Sequence, residues 1–241
     1  MRLAGVYALA GLADDWTDQQ QTCIDVLCAY LRMPYDPDPL APSYRQGEKE
    51  VRHTIIRVIG EHLRADAPVS WCGRNLDFTG ATFDGGELAG ARFTGGDVLF
   101  RRAEFVAGSV YIDDAEFVGG RITFFRANFT GGNLFFGGSK FQGSAVYLSE
   151  TKIAAGMVSF RRTSLTGGSL SFDLAELNGG KIFFGGAELA GCAVSFSDAL
   201  FNGGEVDLSE VAAYDVPPVF DPWTIPPSGL LLPVAPPSPP L

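Results

Sequence analysis

The residues in this chain whose types invite a chemical reading are four cysteines, two histidines and two adjacent carboxylate pairs. Cys23, Cys28, Cys72 and Cys192 lack the CxxC spacing of a zinc or thiol-redox site, and His53 and His62 are not placed to complete one. Buried free thiols in a reducing cytoplasm are the expectation for the cysteines, and exposed helix positions for the histidines. Asp14-Asp15 and Asp113-Asp114 read as adjacent carboxylates in solvent, without the environment of a general acid/base pair. The glycines contain no GxxxxGK[ST] phosphate loop, and neither histidine gives any serine a nucleophile-elbow or triad context. A calcium-binding β-roll would repeat an aspartate at a place occupied here by Asp97, Ser109, Arg121, Asn133 and Ser169. The sequence therefore assigns no catalytic, cofactor-binding or metal residue, and predicts a non-enzyme with no cofactor and no small-molecule substrate.

Charge narrows the partners. The net charge of −10 divides into 8 basic and 10 acidic residues over 1–75, 10 and 16 over 76–213, and two aspartates in the tail. Such a diffuse acidic excess argues against direct binding to nucleic acid or anionic lipid, both of which attract a basic face. No apolar run approaches the roughly 20 residues of a membrane span, and the first residues lack signal-peptide character. The expected location is cytoplasmic.

The elements that would carry these residues fall into three regions: a helical module over 1–70, a repeat over 71–213 and a proline-rich end over 214–241. Residues 3–13 have helical apolar spacing weakened by Gly5 and Gly11, a conflict that close packing of neighbouring helices would resolve. Thr17 and Gln20 have the form of a capping box, followed by an apolar face from Cys23 to Leu31; Pro34, Pro37 and Pro39 end that helix near Arg32. A third helix over 48–64 carries Val51, Ile55, Val58, Ile59 and Leu63 on one stripe, with Glu48, Lys49, Arg52, Arg57 and Glu61 off it. Residues 3–9 and 50–59 resemble helices of HEAT-type repeats.

From Leu76 the clock changes. Phe78, Phe83, Leu88 and Phe93 recur every five residues; after Phe93 the spacing is twelve, through Phe105, Phe117, Phe129, Phe141, Ile153, Leu165, Leu177, Leu189 and Phe201. Further apolar residues fall five and seven places on, as with Val98 and Phe100, so the unit is two pentapeptides plus two extra residues such as Arg101-Arg102 or Asp113-Asp114. With Ala103-Glu104-Phe105-Val106-Ala107, Ala127-Asn128-Phe129-Thr130-Gly131 and Ala187-Glu188-Leu189-Ala190-Gly191 as its better copies, the region resembles the pentapeptide-repeat family. The resemblance implies a mainly β fold, a right-handed quadrilateral β-helix with the large residue and the small one two before it pointing inward. Packing selects the coil length. A coil of one unit would be overfilled by its own Phe, Ile and Leu, whereas two units, about 24 residues, have room for them. Phe93, Phe117, Phe141, Leu165 and Leu189 then stack as one interior column, and Phe105, Phe129, Ile153, Leu177 and Phe201 as another. Gly-Gly pairs belong at corners.

Solenoid ends need covering. The all-α module is placed to cap the first coil with Trp71 as a plug, and residues 214–232 to cover the other end; beyond Pro233 the sequence reads as disordered or polyproline II. Stacking also sets Asp113-Asp114, Gly137-Gly138, Arg161-Arg162, Gly185-Gly186 and Ser209-Glu210 in one column of changing sign. The functional expectation is a protein–protein interaction scaffold whose partner the sequence does not name. The alternative implied by the resemblance is a DNA-mimicking inhibitor or protector of a type II topoisomerase. Residues 2–16 and 21–35 also resemble the module that precedes such repeats in larger bacterial proteins, where transmembrane helices lie upstream. A chain starting natively at Met1 would be a soluble short form, and a truncated one membrane-associated.

Overall fold

The computed structural model describes residues 2–233; the stretch beyond Pro233 expected to be disordered lies outside the described residues. Three helices, α1 (Arg2–Asp15), α2 (Gln20–Leu31) and α3 (Glu48–His62), precede a parallel β-solenoid. Its strands, each of two or three residues, form four sheets that are the walls of the solenoid. In chain order, wall A runs from Leu76–Asp77 to Ala193–Ser195 and wall B from Thr82–Phe83 to Leu200–Phe201. Wall C runs from Gly86–Glu87 to Leu230–Leu231 and wall D from Arg92–Phe93 to Ala213–Tyr214.

The register is the predicted one. Asn128 lies opposite Lys152, Phe141 opposite Leu165 and Val146 opposite Leu170, each 24 residues on. The first coil is shorter by one dipeptide, with Leu76 opposite Val98 and Phe83 opposite Phe105. Both predicted interior columns form, and their rings stack: Phe105 on Phe129 and Phe117 on Phe141 with centroids 4.4 Å apart, close to the separation of neighbouring strands. Phe129 and Phe124 are fully buried.

The two extra residues per unit have a geometric purpose. They form the A-to-B and C-to-D corners, and the second of each pair takes positive φ, as in Arg102, Asp114, Arg126, Glu150, Arg162, Leu174 and Asp198. Side chains resist that conformation. Hydrogen bonds to the next coil hold it, for example Arg102 N–H to Phe125 O (2.9 Å) and Arg162 N–H to Gly185 O (3.0 Å). The intervening corners use glycine where backbones close in: a Cβ on Gly156 would lie 2.1 Å from Gly132 O, and one on Gly168 2.1 Å from Ser144 O.

The helical module covers the first coil through α3. A Cβ on Gly60 would stand 2.8 Å from Glu87 O, so helix and strand touch backbone to backbone. Gly5 and Gly11, by contrast, have open space around them, and the close helix packing expected of them does not occur. The capping box does not form either. Thr17–Gln19 is a 3-10 turn that follows directly on α1, so Thr17 sits inside the turn and Gln19 becomes the N-cap without a side-chain bond. Trp71 is fully buried, stacked on His62 at 4.1 Å, and its Nε1 donates to Asp14 Oδ1 (3.0 Å).

The tail continues the coils instead of folding across their end. Tyr214 pairs opposite Leu189, Val219 bridges to Ser195, and Leu230 lies opposite Val206. Phe220 stacks on Phe196 at 5.0 Å, extending an interior column, and Trp223 meets Phe201 edge-on at 5.7 Å. Proline lacks an N–H donor but is tolerated where the last coil leaves that side unpaired.

Candidate interaction surface

The residues first weighed for chemistry are engaged in packing. Cys23, Cys28 and Cys192 are buried free thiols, and Cys72 is half-buried. Burial pushes the Cys28 thiol up to about 12 and the Cys192 thiol to about 11, which leaves both in the unreactive protonated form. The histidines are not free surface positions, because His53 faces the rod at Gly85 and His62 is covered by Trp71 and Asp14. His62 lies under Trp71 with Nε2 3.1 Å from Asp14 Oδ2, and His53 Nε2 lies 2.8 Å from Asp84 Oδ1. Asp84 also accepts from Tyr35 Oη (2.8 Å) and pairs with Lys49 (3.1 Å). Burial opposes its ionisation, but hydrogen bonds from His53, Tyr35 and Lys49 prevail and hold the carboxyl at about 2. Arg52, expected off the apolar stripe, is only 2% exposed. Its guanidinium fills the seam between module and rod, donating to Leu31 O and to Thr82 O (3.0 Å) and covering the Tyr35 ring at 4.4 Å.

Outward residues are set by position along each wall. Several outward charges pair from one coil to the next: Arg92–Glu116 on wall D, Arg121–Asp97 on wall A, Lys152–Glu176 on wall B and Lys181–Glu205 on wall C, with Arg126–Glu150 at the A-to-B corner. Every pair is 24 residues apart, a signal readable in the sequence once the coil length is known. Each such exposed pair contributes a few tenths of a kcal/mol, about 1 at most. Their effect is to favour this register over its neighbours.

Wall C carries a different surface. Tyr111, Phe135 and Phe183 all point outward there, with Met157 beside them and Ser159 in the coil between Phe135 and Phe183. Beyond them at the C-to-D corner run Asp113-Asp114, Gly137-Gly138, Arg161-Arg162 and Gly185-Gly186. Glycine lets the larger groups lie flat. A Cβ on Gly138 would meet Asp114 Oδ1 at 2.5 Å, one on Gly185 the Phe183 ring at 2.5 Å, and one on Gly186 the Arg162 stem at 3.2 Å. Asp113 Oδ1 accepts from Gly137 N–H (2.6 Å); burial nevertheless raises its carboxyl above the usual range. Phe135, Met157 and Phe183, with the aspartates and arginines of the corner, line an open slot of about 800 Å³. Among the described residues, neither Arg161 nor Arg162 has a carboxylate within ion-pair distance. The aromatic set was not singled out from sequence; its signal is an outward aromatic recurring at 111, 135 and 183 in one register.

Among the described residues no group of three or more His, Cys, Asp or Glu is arranged to hold a metal ion, and no helix is long and apolar enough to cross a membrane. No protein-family model matches the chain, and a search of curated proteins returns no match.

Proposed function

We propose that this chain is a non-enzymatic interaction scaffold of the pentapeptide-repeat kind, and that wall C is the face it presents to a protein partner. One observation carries the reading: Tyr111, Phe135, Met157 and Phe183 stand together on the outside of one wall of the rod. The interior period requires apolar residues inside and is indifferent to what stands outside, so aromatics there are not explained by folding. Aromatic and methionine side chains beside arginine are the groups that interface cores favour. Tyr111 is 41% exposed and stacks on Phe135, so the outward aromatics adjoin one another on this wall.

The topoisomerase reading has less support. Mimicry of duplex DNA needs a continuous acidic face, and the ion pairs on all four walls interrupt it. The expected result in a gyrase supercoiling assay is no inhibition at micromolar protein.

The scaffold reading is tested by quantitative capture from an extract of the source cells. Replacing Phe135 and Phe183 by Ser should deplete the specifically captured set, while Lys140→Ser on wall D should leave it unchanged. Identical sets from all three proteins would remove wall C as the docking face.

A further inference from the structure

We propose that the end of wall B nearest the last coils is a second docking surface, and that it takes an amphipathic helix of a partner protein whose apolar face is flanked by lysine or arginine. This surface is separate from wall C and stands on different residues.

Two outward columns change character at this end. On wall B one column carries Glu104, Asn128, Lys152 and Glu176 in successive coils and then Leu200. At the A-to-B corner the positive-φ position holds Arg102, Arg126 and Glu150 before Leu174. Leu174 is 52% and Leu200 53% exposed, and half-buried Trp223 of the last coil lines the same open slot. The fold asks for neither leucine. A left-handed backbone suits Asp or Asn better than an aliphatic side chain, and the wall column accepts a charge or an amide in the four coils before Leu200. Three large apolar groups that meet where polar ones would serve mark an interaction surface.

Charge selects the occupant. In the earlier coils the ions of the slot are closed in pairs, Arg126–Glu150 and Lys152–Glu176. Asp198 and Asp221 lie beside the apolar groups, and the Asp221 carboxylate accepts the Asp198 N–H at 3.0 Å. Among the described residues neither aspartate has a cation within ion-pair distance. Isologous pairing of this patch with a second copy would bring its own aspartates together, whereas a cationic flank on a different chain complements them. The slot is open and measures about 1200 Å³, more than a small ligand fills. From Leu174 to Trp223 the apolar strip climbs two coils, roughly 9.6 Å. Apolar residues at i, i+4 and i+7 of an α-helix span about 10.5 Å and cover it.

The test uses the full chain and a fluorescein-labelled helical peptide of about 14 residues, with leucines at i, i+4 and i+7 and lysines on both flanks. Its anisotropy titration should saturate with micromolar affinity, and the same peptide with glutamates for the lysines should bind roughly tenfold more weakly. Leu174→Asn/Leu200→Asn places residues that suit both positions, so the thermal midpoint should hold while the affinity falls roughly tenfold. If that midpoint drops, Leu200→Asn alone decides, since Asn128 already stands in the same column. Asp198→Asn/Asp221→Asn should remove most of the preference for lysine over glutamate. Phe135→Ser/Phe183→Ser should bind the peptide as the unaltered chain does, which separates this surface from wall C. Equal affinity for the two peptides, unchanged binding to the leucine variant, or no binding at about 1 mM overturns the proposal. Loss of binding in the Phe135/Phe183 variant alone would place the peptide on wall C and overturn it as well.

Discussion

Tyr111 stacks on Phe135 across one coil, with ring centroids 5.4 Å apart, on the outside of the solenoid. The same 24-residue step inside the rod sets Phe117 on Phe141 at 4.4 Å. One repeat thus generates two kinds of aromatic ladder. The inner one is compelled by packing: each ring buried there removes apolar surface from water, worth about 25 cal/mol per Å². The outer one is only partly covered, with Tyr111 41% exposed, and the interior packing does not dictate its residues.

The inward and outward assignments are tested by neighbouring residues. Phe129 is fully buried, whereas the Asn128 amide donates to Glu104 Oε2 at 3.0 Å on the outer surface of wall B. Phe129→Asp should cost more than roughly 4 kcal/mol, because it removes a ring and buries an unpaired charge. Asn128→Asp sets two carboxylates opposite each other but keeps Lys152 on the far side, and should cost less than about 1 kcal/mol. Urea midpoints followed by circular dichroism give both values, and equal tolerance would contradict the assignment.

Corner glycines separate conformational strain from collision. Gly143 has φ +67° and no atom within 4 Å of where a Cβ would stand, while Gly156 has φ +81° and Gly132 O only 2.1 Å from its Cβ position. Gly143→Ala should cost about 1 kcal/mol, the penalty of positive φ alone. Gly156→Ala should cost roughly 3 kcal/mol or more, because backbone must also move. Equal thermal shifts would show that the coils are not packed this closely at Gly156.

The seam between the helical module and the rod should be acid-sensitive. Asp84 is held at about 2, below the roughly 3.9 of an unfolded chain, so the stabilisation is complete above about pH 4 and is lost as pH falls toward 2. Its size is on the order of 2 kcal/mol. In urea titrations the advantage of the wild type over Asp84→Asn should therefore shrink between about pH 4 and pH 2. A constant difference would mean that Asp84 is not ionised in the seam.

Most of the rod was legible because its period is a packing requirement. Once Phe93, Phe117 and Phe141 are seen to recur, the coil length follows from volume, and the Arg92–Glu116 and Lys181–Glu205 pairs follow from the coil length. What resisted reading lay outside that requirement. Arg52 looks exposed on a helical wheel, yet its planar head can satisfy carbonyls from two elements at once, which only the docked structure reveals. Prolines obscured the tail, where Phe196 to Phe220 and Val206 to Leu230 keep the 24-residue step. The wall C aromatics escaped notice because nothing in the repeat dictates outward residues, so each had to be placed before their adjacency could be seen.

The docking face can be located with the chain's own methionines. Met157 lies on wall C within the slot, and Met33 is 52% exposed in the helical module. Protein labelled with a diazirine methionine analogue, irradiated in an extract of the source cells, would report by peptide mapping which position forms partner adducts. Adducts at Met157 and not at Met33 are the predicted result. Adducts at Met33 alone, or at neither position while a partner is still captured, would contradict wall C as the surface through which this rod acts.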